Sequence, residues 1–470
     1  MKKYLIILAV VAVAAIGVYY FFFAKNDSCK NVIPEDAKAV LVFDATEAVK
    51  QLDFSISDII DLLKQNSDNN ADLGIDFLSP MYGFVSNDNY LCGVFALSDA
   101  DAFGKAISDG NVTVESQRGF KWAYTNDILV CFDSGKALVM GPISKGESDG
   151  MRGKMVEWMN QGSHSVPLLS SIMDKEGIFR LRTSLGAIPD TYKSQFSSIY
   201  KNVDFDKVFF NATFNIKDNA FLLTAGVESE DKEYTKLVSE WSVYNRPIQA
   251  DQVQIPYENP LALMVFNLDG EALYNKLCKN PQTATVFSMM NLYCNTGLMF
   301  QAIDGNVVMA FDNISDGQSN KYYVNAHVKN KDFMKGAEEW ESNMAPLGLL
   351  CHQVEGDNYM ISANDVTNYF GVRGESLYFA SDLDAAKTAG KLNSSLESQI
   401  KDKLFYLSLD IDKLVKSPYA KSQLGIEGFA QLVLNYFDRL NVSVVKRTDF
   451  EIELTTKQKI SDILKMTLTK

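Results

Sequence analysis

Two stretches of this chain open alike and close alike. Ile33-Pro34 leads into the apolar run Val40-Leu41-Val42-Phe43-Asp44, and Ile255-Pro256 leads into Leu263-Met264-Val265-Phe266-Asn267. Phe205-Asp206-Lys207-Val208 stands near the end of the first stretch, and Phe437-Asp438-Arg439-Leu440 near the end of the second. A chain that repeats itself at so long a period is not a solenoid of short units. It predicts two tandem modules of one plan, residues 33–242 and 261–470. Segment 243–260, with Pro247, Pro256 and Pro260, is the expected linker. The repeat also sorts residues. What both copies share serves folding, and what one copy has alone is a candidate for function.

Each copy reads as a strand, then an amphipathic helix with Ala48, Val49 and Leu52 or Ala272, Leu273 and Leu277 at helical spacing. Turn chemistry at Ser86-Asn87-Asp88-Asn89 and Ser315-Asp316-Gly317-Gln318 separates apolar runs, which predicts a hairpin in each copy. A short helix follows around Phe103 and Phe333. Gly135 and Gly374 then sit where a tight turn calls for positive φ. Phe450, Ile452 and Leu454 alternate with Glu451 and Glu453, the pattern of a strand with one face in water. A terminal helix is expected to close each half, near 234–241 and 460–466. The fold class is therefore α+β: two internally duplicated modules with mostly antiparallel sheets, preceded by a transmembrane helix.

That helix is predicted over residues 4–24, within an anchor region 1–25. The run carries no charge, and about 20 apolar residues span a bilayer. A cleavable signal has a shorter apolar core ending at small residues. Here Ala12-Val13-Ala14 lies mid-run, and Tyr19, Tyr20 and Phe21-Phe22-Phe23 follow it, in keeping with an interfacial belt. A short basic head stays in the cytoplasm, which places the body in the periplasm, on a single-pass inner-membrane anchor. Cys29 offers the alternative of a lipid anchor at the outer membrane. The residues before it, Asn26-Asp27-Ser28, are not the apolar and small residues a lipobox has.

With 47% hydrophobic and 22% charged residues, the body can build a core, and the net charge of −14 repels phosphate backbones. Nucleic acid is excluded as a partner. The six cysteines are too few for a disulfide scaffold. Cys92 and Cys131 fall in strand-like runs and read as buried free thiols, whereas Cys278 and Cys294 are a pair open to oxidation.

No catalytic, cofactor or metal set emerges. His164, His327 and His352 are scattered. Cys351 and His352 are neighbours on a strand and point to opposite faces. The carboxylate pairs Asp99/Asp101, Asp204/Asp206 and Asp410/Asp412 are of the kind that holds calcium or serves as acid and base, but they read first as a helix-to-strand turn or an ion pair. The loop Asp312-Asn313-Ile314-Ser315-Asp316-Gly317 has Ile314 where a calcium ligand belongs. The Met-rich stretch is the remaining candidate: Met289, Met290, Met299 and Phe300 could line an apolar ligand site.

The Met-Lys-Lys head, the apolar run, and Ile33-Pro34-Glu35-Asp36-Ala37 leading into Val40–Asp44 resemble an uncharacterised Bacteroidetes family. Its members are exported or lipoprotein-like and carry a domain of unknown function. The tandem layout over 33–470 is similar too. The resemblance implies no activity and no site residues. The expected function is that of a non-enzymatic, membrane-anchored envelope protein that binds or scaffolds an envelope partner. The alternatives are a carrier or sensor of a lipid-like ligand held between the halves, and a hydrolase with a carboxylate site at their junction.

Overall fold

The structure is a computed structural model, and it describes residues 27–54, 73–188, 191, 193, 200, 202–241, 244–314, 320–363, 366–417 and 435–468. The predicted membrane helix at 4–24 lies outside these. Among the described residues no helix is long and apolar enough to cross a membrane. The chain divides into two compact units, residues 1–235 with 458–470, and residues 236–457.

The strands of the first unit are β1 (Ala39–Phe43), β2 (Met81–Val85), β3 (Leu91–Ala96), β4 (Val114–Gln117), β5 (Phe120–Thr125), β6 (Ile128–Phe132), β7 (Lys136–Gly141), β8 (Phe179–Ser184), β9 (Val208–Lys217) and β10 (Ala220–Ser229). They pair antiparallel throughout, in the order β4-β5-β6-β7-β3-β2-β1-β8-β9-β10. Alternate side chains feed two separate cores. Val40, Val42, Leu129, Cys131, Leu138 and Met140 go to one face, where Met155, Trp158 and Ile172 of two helices cover them. Phe43, Val130, Phe132, Ala137 and Val139 go to the other, beneath Leu52, Phe103 and Ile107. Both faces are buried, which is why Ile128-Leu129-Val130-Cys131-Phe132 reads as an unbroken apolar run.

The second unit contains β11 (Asn245–Arg246), β12 (Gln254–Ile255), β13 (Ala262–Asp269), β14 (Ile303–Asn313), β15 (Lys321–Val328), β16 (Leu350–Glu355), β17 (Asn358–Ala363), β18 (Val366–Arg373), β19 (Ser376–Ala380), β20 (Gly390–Lys391), β21 (Phe405–Asp410), β22 (Phe437–Lys446) and β23 (Asp449–Thr456). Its main sheet runs β16-β17-β18-β19-β15-β14-β13-β21-β22-β23, again all antiparallel. Position for position, this is the order of the first sheet. Its core is broken into several smaller clusters.

Several details depart from the sequence reading. Segment 243–260 is not a free linker. Ile248, Val253 and Ile255 are buried against Val265 and Val308, and β11 pairs with β13. The last helix, Ile460–Leu468, belongs to the first unit. Ile460 is 1% exposed within the cluster of Phe54 and Phe103, its N–H donates to Asp218 O at 2.8 Å, and Lys465 lies over the Phe54 ring. The division between units falls inside the helix Lys232–Trp241.

The helix-capping partner of Asp44 is Asp269 rather than Asn267, because β13 runs on past Asn267 before its helix begins. Asp44 and Asp269 each accept a backbone N–H of the first helical turn, the usual work of an N-cap carboxylate. Gly374 has the expected positive φ of 61°, but Gly135 does not; there Asp133 closes the turn by accepting from Gly135 N and Lys136 N. Glu451 and Glu453 are half-buried, held by Lys403 and Asn441 respectively, so β23 has no fully wet face.

Candidate functional site

The helix Pro281–Met290 starts where its sequence says it should. Asn280 caps it, accepting from Gln282 N, and Pro281 occupies the first turn, where its missing N–H costs nothing. A tight turn follows, and then the helix Thr296–Ala302. Asn291 and Asn295 fix that turn. Asn291 Oδ1 accepts from Gly297 N at 2.7 Å, and Asn295 Nδ2 donates to Phe333 O and Lys335 O.

One side of this segment is packed. Phe287 meets Tyr274 and Phe300 edge-on, with ring centroids 5.0 and 5.2 Å away. A hydrogen bond that the Tyr274 hydroxyl donates to Cys278, and then burial, push this phenol above its usual range. The other side faces water: Met289 is 60% exposed and Leu292 70%, with Val286, Met290 and Leu298 also exposed. No charged residue lies between Lys279 and Asp304. In a chain of net charge −14, this is a charge-free apolar surface.

The four residues expected to line a ligand site are thus split. Met289 and Met290 point outward, while Met299 packs near Phe333 and Phe300 against Phe287. They do not converge on one cavity, because the rings beneath them close on each other. Leu292 and Leu298 belong to the same Met-rich stretch, whereas Val286 lies just before it and was missed. The absence of charge from 280 to 303 was the signal that could have found it.

Cys29 is buried at 1% exposure among Val32, Ile33 and Val40. An acyl chain on its sulfur would have to displace that packing. Cys92 and Cys131 are buried free thiols, as expected. Burial pushes both thiols up, Cys131 to about 12.

The remaining candidates resolve into folding roles. His164 bridges Gly162 O and Ile33 O, and His327 holds Asp304 O at 2.9 Å. Cys351 is buried and His352 exposed, on opposite faces of β16. Asp99 and Asp204 cap helical turns, Asp101 pairs with Lys121, Asp410 with Arg439, and Asp412 with Lys416 and Lys457. Asp312 pairs with Lys413; residues 315–319 of the calcium-like loop lie outside the described residues. Among the described residues no three His, Cys, Asp or Glu gather as metal ligands.

Two voids complete the picture. In the first unit a gap of about 20 Å³ beside Gly83 and Gly93 has room for no more than a water. In the second unit a polar cleft of about 740 Å³ is lined by Arg246, Asn267, Asp304, Glu397, Lys401 and Asp402. Arg246 Nε and Asn267 Oδ1 are buried in it without a hydrogen-bond partner, while other polar groups in and beside it serve the fold. Arg246 donates to Asp304 and Leu268 O, Asn267 to Pro247 O, and Asn306 to Gln249 O.

Residues 38–460 match the family model described as Domain of unknown function (DUF4836). The chain belongs to the DUF4836 family. The DUF4836 match runs from the start of β1 to Ile460 and so takes in both units. No curated protein matches the sequence. Among solved structures, crystal forms I, III and IV of TP0453 are similar at 13 to 14% identity, with TM-scores of 0.27 to 0.29. They cover 42 to 47% of this chain and 79 to 88% of their own. So faint a likeness carries no argument about the DUF4836 fold or function.

Proposed function

We propose that this protein is a non-enzymatic binding protein, tethered to a membrane by the apolar run 4–24, which docks a protein partner through the uncharged face of 281–302. The observation that carries the reading is the exposure of five large apolar side chains, Val286, Met289, Met290, Leu292 and Leu298, on a stretch without one charge. Methionine side chains adapt to differently shaped partners, and an exposed apolar cluster gains free energy when a partner covers it. A protein surface suits the site better than a lipid-like ligand, because Tyr274, Phe287 and Phe300 fill the space beneath it. We further propose that the two units are copies of one duplicated module. The shared strand order and the matching N-caps Asp44 and Asp269 support that descent. On this reading the body lies in the periplasm, and the envelope supplies the partner.

The test places a photo-crosslinking residue at position 289 or 292 in the membrane-bound protein. A single defined adduct is expected, reproduced with the purified partner and lost in the Val286→Glu/Leu298→Glu double variant. Both positions are exposed, so the variant should keep the parent's melting temperature. Adducts to lipid alone would overturn the protein-partner reading and favour the carrier. Equal crosslinking from position 289 and from an exposed position far from the patch would overturn the site.

A further inference from the structure

The second unit holds three cysteines, and the fold sorts them differently from their spacing in the chain. Cys278 ends its helix with its thiol hydrogen-bonded to Tyr274 one turn back. Cys294 sits in the turn between the helices Pro281–Met290 and Thr296–Ala302, half-buried, with its sulfur 3.2 Å from Thr296 Oγ1. Cys351 lies on β16 opposite Ile361, buried with Trp340, Met344, Tyr359 and Phe370, and Cys294 packs against this same cluster. The turn carrying Cys294 is held there independently of its sulfur. Asn295 donates to the carbonyls of Phe333 and Lys335, just before Ala337 of the cluster.

We propose that Cys294 and Cys351 are a disulfide-forming pair, and that their oxidation staples the uncharged helical segment to the β16–β17 ribbon. The electrostatics make Cys351 the slower of the two to ionise. Burial raises the Cys351 thiol above its ordinary range, and the charges of Glu341 and Cys294 add to the rise. Cys294 is the more accessible of the two and is the attacking thiol.

The step is exchange with an external disulfide, either of low molecular weight or on an oxidoreductase. Cys294 loses its proton and attacks one sulfur of that disulfide, and the other sulfur leaves as a thiolate. Cys351 then loses its proton and attacks the Cys294 sulfur, releasing the second external thiolate. Two cysteine thiols are oxidised, and one external disulfide is reduced to two thiols.

The inference stands apart from the docking reading, because its readout is a covalent bond. Full-length protein is incubated with oxidised glutathione, quenched in acid, alkylated under denaturing conditions and mapped by peptide mass. The expected product is a Cys294–Cys351 linked peptide about 2 Da lighter than its two thiol parts, with Cys278 fully alkylated. Cys278→Ser should leave the link intact, and Cys351→Ala should stop the reaction at a Cys294–glutathione mixed disulfide. Should Cys351→Ala fail to fold, Cys294→Ser in the half-exposed turn gives the reciprocal result, Cys351 alkylated and no link. A Cys278–Cys294 link, or alkylation of both Cys294 and Cys351 in the oxidised parent, would overturn the pairing.

Discussion

Gly74 shows how much one backbone position can hold. Its φ is +66°, and a Cβ added there would lie 2.0 Å from Asp99 O and 2.7 Å from Phe103 N. Its own carbonyl accepts from Ser98 N and Asp99 N, so it braces the start of the helix Ala100–Asp109. Any side chain meets both a strained conformation and a backbone wall. Gly74→Ala should destabilise the first unit by about 2–4 kcal/mol. Urea unfolding read through the first unit's transition checks this, and an unmoved midpoint would contradict it. Arg182 shows the opposite case, a residue tied by many modest contacts. It reaches Asn211 and Glu228, lies over the Phe209 ring, and holds the Glu228 carboxyl below its ordinary range. Neither role is written in the residue's sequence neighbours. Gly74 matters because of Asp99, and Arg182 because of β9 and β10.

Among elements, antiparallel strands were the most legible feature and helix length the least. Asp99 caps the helix Ala100–Asp109, and its carboxylate accepts from Asp101 N and Ala102 N. Asp99→Ala should cost about 1 kcal/mol. Asp101→Asn, which breaks only an exposed pair with Lys121, should leave the transition in place. Equal losses from both, measured by thermal unfolding, would show that charge rather than capping matters. In the second unit the stretch around Phe333 is a single 3-10 turn, Asp332–Met334. Gly336 at φ 78° follows it, whereas in the first unit Gly104 sits mid-helix and the helix continues. The pattern around Phe103 and Phe333 predicted a short helix in each place, and both rings are buried. It did not predict length, because a helix ends where the backbone turns and not where its apolar anchor lies.

For the whole molecule, the chain's last helix serves its first unit. Ile460 fills a core built from residues far earlier in the chain, among them Phe54, Phe103 and Ile216. Ile460→Ala should cost about 2–4 kcal/mol. Hydrogen exchange should then quicken in β1, β8 and β9 of the first unit. Faster exchange confined to β21 and β22 would show that the helix serves the second unit instead. The same long-range closure explains why 243–260 deceived the sequence reading. Its prolines suggest a linker, yet Ile248 and Val253 are core, because β13 and β14 arrive later in the chain to cover them.

By itself the sequence determined the mixed α+β class and the mostly antiparallel strands. Apolar alternation and turn residues act over a few residues and can be read where they stand. The tertiary structure alone decided which surfaces are left over. It turned Met289 and Met290 outward while Phe287 and Phe300 turned in, buried Cys29, gave the final helix to the first unit, and packed Cys294 into the cluster of Cys351. Each of these depends on which distant segment arrives to cover a side chain. Composition sets how much apolar surface must be hidden, and only packing sets which part stays in water.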